Sequence, residues 1–225
     1  MKNCRIEGRY NHSSKDKTPV ALILHPHPWY GGTMNNKVTY NMYKSFVAKD
    51  FSVLRFNFRG VGRSQGKFDE GIGELSDAAA ALDWLQTKNP NSTSYWIGGF
   101  SFGSWIGMQL LMRRPEIDGF VSVSPPVNKY DFSFLSPCSA SGLIIQGDQD
   151  SIVDEAVVEK FAKRIGKSKA ISVDYKLIQG ADHFFRDNIE KFCNTIDEYI
   201  DRRLSDNQVT KKVSNDRRRR KLPTE

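Results

Sequence analysis

The strongest constraint on the fold is a rhythm in the chain. Short apolar runs of strand length alternate with longer segments of helical periodicity. Strands are expected over 18–25, 51–58, 94–98, 119–123, 142–146 and 171–178. Helices are expected between them: 37–49, with Tyr40, Tyr43, Phe46 and Val47 on one side, and 75–87, with Ala78, Ala79, Leu82 and Leu85 facing inward. Pro90 cannot extend the second of these. Further helices are expected over 102–113, 154–165 (Asp154 as its N-cap) and 184–204. Strands alternating with helices predict the α/β class, a mainly parallel sheet covered on both faces. Only residues 124–141 separate the fourth strand from the fifth, enough for a crossover but not for a cap domain.

The chain of 225 residues suits one domain, here 1–204, and it buries enough surface to fold without disulfides or metal. Cys4, Cys138 and Cys193 are odd in number and far apart, as expected of free thiols in the cytoplasm. The start of the chain lacks the apolar segment of a secretory signal, and no apolar run reaches the roughly 20 residues of a membrane span. The net charge is +7, but residues 205–225 hold seven basic side chains against three acidic, so +4 sits there and +3 in the rest. The basicity is thus largely a terminal appendage, expected to be disordered, and does not make nucleic acid a partner. The sequence leaves the oligomeric state open.

The chemistry concentrates at the ends of the expected strands. Gly99-Phe100-Ser101-Phe102-Gly103 lies between a strand and a helix, the setting in which Gly-x-Ser-x-Gly forms a nucleophile elbow. The serine must stand on a strained turn, and the flanking glycines let the two backbones approach. A serine hydroxyl needs a base. Of the four histidines, His12 lies in a polar stretch, His25 and His27 precede the serine, and His183 follows the last strand. A carboxylate must orient that imidazole; Asp148 and Asp150 both lie just past the strand 142–146. Serine, aspartate and histidine therefore come in that order, each beyond a strand, on the edge where open α/β sheets place their sites. His25 and His27 lack a third ligand for a metal site, so no metal or cofactor is expected. Residues 59–66 superficially resemble a dinucleotide fingerprint, but Gln65 stands in the third glycine's slot, and a structural turn is expected.

With these residues in hand the chain resembles an α/β-hydrolase over almost all of 5–204. Four segments carry the likeness: His25-Pro26-His27-Pro28-Trp29-Tyr30-Gly31-Gly32, Asn57-Phe58-Arg59-Gly60-Val61-Gly62-Arg63-Ser64, the Ser101 elbow, and the loops of Asp150 and His183. The first is similar to a small lidless bacterial subgroup related to the dienelactone hydrolases, which carry Cys where this chain has Ser101. The resemblance implies a Ser101–His183–Asp150 triad, with Asp150 matched by its step into Ser151-Ile152-Val153. It also implies an oxyanion hole from the backbone N–H groups of Phe102 and His27. The implied partner is a small acyl substrate, cleaved as an ester or thioester; a peptidase, an acyltransferase or a non-catalytic binding protein of the same fold are the alternatives. Trp29, Tyr30 and Phe184 are candidates for an acyl pocket, and Trp105 for the core beneath the elbow helix.

Overall fold

A computed structural model describes residues 4–135, 137–167 and 171–219, with side chains as far as Asp206. Seven strands form one sheet in the order β1-β3-β2-β4-β5-β6-β7. The strands are β1 (Gly8–Asn11), β2 (Val20–Leu24), β3 (Ser52–Phe56), β4 (Tyr95–Phe100), β5 (Ile117–Val123), β6 (Ser141–Gly147) and β7 (Val173–Ile178). All neighbours run parallel except β1, which pairs antiparallel with β3. The helices are α1 (Lys37–Ala48), α2 (Ile72–Lys88), α3 (Phe102–Leu111), α4 (Glu155–Ile165) and α5 (Ile189–Arg219).

The central strands are apolar on both faces because both faces are covered. On β2, Ala21 and Ile23 join the cluster under α1 and α5 with Met42, Phe46, Phe192 and Ile196. Leu22 and Leu24 join the opposite cluster under α2, α3 and α4 with Leu82, Ile106 and Phe161. The alternation continues on β6, where Leu143 and Ile145 face one cluster and Ile144 the other. No cap domain stands over the sheet: between β5 and β6 the described chain holds only a short 3-10 turn, Ser133–Leu135.

Three departures from the sequence expectations have local causes. β1 has no apolar run to announce it; its four residues are exposed or half-buried at the sheet edge. The last helix begins at Ile189 rather than 184, since Phe185 takes φ 51° and closes a turn while packing on Phe192. α5 also runs through the boundary expected at 204/205, with Ser205 Oγ donating to Asp201 O; residues 220–225 lie outside the described residues. Asp154 caps α4 as expected, accepting from Ala156 and Val157 N–H.

The sheet order places the switch point at β2. The chain leaves β2 through α1 toward β3 on one side, and from β3 crosses by α2 to β4 on the other. The loops after β2 and β4 therefore diverge and leave a crevice at their C-terminal ends, where open α/β sheets bind ligands.

Candidate active site

Ser101 stands between β4 and α3 with φ 53° and ψ −118°, a backbone conformation that few non-glycine residues adopt. Two neighbours must be glycine for this turn to exist. A Cβ on Gly99 would lie 2.4 Å from Gly103 O, and one on Gly103 would lie 2.4 Å from Leu24 O and 2.5 Å from His25 O. The helix start thus passes against the end of β2 at backbone distance. The Ser101 N–H is held by Val123 O at 2.8 Å, which fixes the elbow to β5.

His183, beyond β7, has its Nε2 3.2 Å from Ser101 Oγ. Its Nδ1 lies 2.7 Å from Asp150 Oδ2. Since a carboxylate only accepts, the proton sits on Nδ1, and Nε2 is left free to accept from the serine. The ring is buried and packs against Phe100 and edge-on to Phe184. The side chain of Asp150 is wholly covered. Its Oδ1 accepts from the N–H groups of Ile152 and Val153 at 2.8 and 2.9 Å, and its Oδ2 accepts from Gln146 Nε2 at 2.9 Å as well as from the histidine. Burial alone would raise this carboxyl, but the hydrogen bonds from His183 and the loop N–H groups outweigh it and hold its pKa below the ordinary value. Asp148 is engaged elsewhere: its Oδ1 accepts from Gly180 N–H at 2.6 Å, tying the β6 loop to the β7 loop.

The loop after β2 is built around His25. Its Nδ1 donates to Pro26 O at 2.6 Å and its Nε2 accepts from Phe58 N–H at 3.0 Å. Both ring nitrogens are committed to backbone, so His25 is a strut between β2 and β3 and not a ligand. Burial pushes its pKa down to about 4. His27 O accepts from Tyr30 and Gly32 N–H, and Gly32 sits where a Cβ would meet Pro26 O at 2.1 Å. Among the described residues neither His27 N–H nor Phe102 N–H donates to a protein acceptor, so both remain open to a ligand.

A cleft of about 380 Å³ opens over these groups. Tyr30 and Phe184 line it; Trp29 does not, packing instead on Phe68 with 70% of its surface exposed. Trp105 is only half-buried: it stacks on Tyr130, whose ring forms part of the cleft wall, and donates from its indole N–H to Asp131 O. Residues 59–66 do form a structural turn, with Gly60, Gly62 and Gly66 at positive φ and Arg59 held bidentate by Asp77.

Two residues escaped the sequence reading. Gln146 is fully buried and braces Asp150 while also donating to Val153 O. A lone amide at the end of an otherwise apolar strand was its signal. Lys129 lines the cleft from the β5–β6 crossover, and no local pattern placed it there.

Comparison with known proteins fits this geometry. The model of the X-Pro dipeptidyl-peptidase (S15) family, a branch of the α/β-hydrolases, matches residues 12–155, which hold Ser101 and Asp150. A protein of unknown function from Agrobacterium tumefaciens, described as an α/β-hydrolase, superposes with a TM-score of 0.87 at 52% identity, over 89% of this chain and 92% of that one. The chain belongs to the α/β-hydrolases. An uncharacterized protein of Rickettsia prowazekii is 58% identical over 200 residues, 87% of this chain and 84% of its own. The lysophosphatidylserine lipase of Xenopus tropicalis is 28% identical over 180 residues, 78% of this chain; the match spans only 38% of the lipase. This α/β-hydrolase has no helix among its described residues long and apolar enough to cross a membrane.

Proposed function

We propose that this α/β-hydrolase is a serine esterase or thioesterase acting through Ser101, His183 and Asp150. The observation that carries the reading is the unbroken hydrogen-bond chain from Ser101 Oγ through the imidazole to a buried, fully satisfied carboxylate. His183 Nε2 takes the hydroxyl proton as Ser101 Oγ attacks the acyl carbon. Asp150 keeps Nδ1 protonated and stabilises the imidazolium that forms. The N–H groups of Phe102 and His27 receive the developing oxyanion; losing one such donor typically costs about 3–4 kcal/mol of transition-state stabilisation. His183 then protonates the leaving group, and water on the reverse path frees the acyl chain. Tyr30 and Phe184 supply apolar wall for a short acyl group.

The family match favours one second reading, a peptidase that releases X-Pro dipeptides on the same groups. Such an enzyme must hold a free N-terminal ammonium. Among the described residues the cleft wall carries no carboxylate, and it carries a lysine, which favours the ester reading. A fluorophosphonate probe should label the wild type at Ser101, and a 4-nitrophenyl ester should give an acylation burst. Both should vanish in Ser101→Ala with the fold intact. Full activity retained in that variant would sink the proposal, while turnover of an Ala-Pro 4-nitroanilide but not of esters would favour the peptidase.

A further inference from the structure

The charge on the cleft wall is one-sided. Lys129 is exposed at the cleft and makes no ion pair among the described residues. Among the described residues no aspartate or glutamate lines the same cavity. The nearest acid to the chemistry, Asp150, is sealed behind His183 and already committed to four hydrogen bonds. Asp182, beside the histidine, is paired with Arg186 and accepts from Phe184 and Arg186 N–H. Lys37 donates to Arg186 O and makes no ion pair among the described residues, and its neighbour Asn36, which lines the cleft, caps the start of α1. Lys129 also acts across the cavity, since after burial it is the next cause holding the half-buried His27 imidazole below its usual pKa. An uncompensated cation in a one-signed cleft with partly apolar walls draws anions toward it.

We infer that the substrate carries an anionic oxygen group, a carboxylate or a phosphate, and that Lys129 recognises it. The inference rests on the ester reading above and names its substrate class. Lys129 is a point charge rather than a rigid fork, so it suits either anion without demanding a bidentate geometry. Five other residues of the cleft wall, Tyr30, Phe102, Tyr130, Ile152 and Phe184, are apolar or aromatic and suit the uncharged part of the same molecule.

The experiment compares kcat/KM for paired esters with and without an anionic group. Mono-4-nitrophenyl succinate against 4-nitrophenyl butyrate places a carboxylate on the acyl side. A 1-acylglycerol 3-phosphate against the 1-acylglycerol places a phosphate on the alcohol side. In at least one pair the wild type should favour the anion by about fivefold at low salt. The preference should shrink as ionic strength rises to about 0.15 M, where the screening length falls to roughly 8 Å. It should fall to near one in Lys129→Gln and invert in Lys129→Glu. Because each ratio is taken within one variant, damage to folding or chemistry cancels. The pair that responds tells carboxylate from phosphate. Ratios near one in the wild type, or ratios that Lys129 substitutions leave unmoved, would overturn the inference while leaving the ester reading standing. No turnover of any ester, charged or neutral, would instead sink the ester reading.

Discussion

His25 illustrates what a buried side chain contributes when it does no chemistry. Fully buried, it stays neutral in the folded protein down to about pH 4, whereas in the unfolded chain it protonates near 6.5. Between those values the unfolded state binds more protons, so stability rises with pH across this window and is lost on acidification. Urea unfolding at pH 7 and pH 5 should differ by about 2 kcal/mol from this group alone. His25→Gln should remove that part of the slope, whatever it does to the absolute stability; an unchanged slope would mean that the ring is not held neutral. Asp150 works in the same sense at lower pH: its lowered pKa keeps it charged at neutral pH, and the stability this gives is lost as pH falls through the carboxylate range. Gln146 acts through it: by donating to Oδ2 it leaves that oxygen with two partners, so the carboxylate is aimed at His183 rather than free to rotate.

At the scale of elements, the site is a product of three loop ends brought to one sheet edge. β4 delivers Ser101, β6 delivers Gln146 and Asp150, and β7 delivers His183. The tightest junction is the β4–α3 elbow, where the start of α3 touches the end of β2. Gly103→Ala would push a methyl into Leu24 O and His25 O, backbone atoms that cannot swing away. It should lower the unfolding free energy by about 2–4 kcal/mol. Ester turnover should fall further than stability explains, because the elbow and the β2 loop shift together. Thermal melting alongside kcat measures both; a variant with wild-type melting and rate would mean that the elbow tolerates a Cβ.

For the whole molecule, seven strands and two helical layers hold an open cleft, and α5 closes one layer through Phe192, Ile196, Tyr199 and Ile200. Among the described residues, none that lines the cleft comes from beyond Phe184. Ending the chain after Asp206 should therefore leave kcat/KM for a 4-nitrophenyl ester within about twofold of the full chain, a difference of well under 1 kcal/mol; a larger loss would give the basic segment a role at the site. The sequence by itself determined the strand–helix alternation, the Ser101 elbow and the order of serine, aspartate and histidine. Apolar periodicity and the steric demand for Gly99 and Gly103 are set by neighbours a few residues away, so they can be read along the chain. The edge strand β1 was not legible, because its pairing with β3 is backbone hydrogen bonding that leaves no apolar run. Tertiary structure alone brought Ser101 and Asp150 to His183 across separations of 82 and 33 residues. It also gave the histidine to Asp150 and Gly180 to Asp148, set Gln146 behind the acid, and turned Lys129 into the cleft. Those outcomes depend on where whole loops land once the sheet has packed, and no spacing along the chain encodes that.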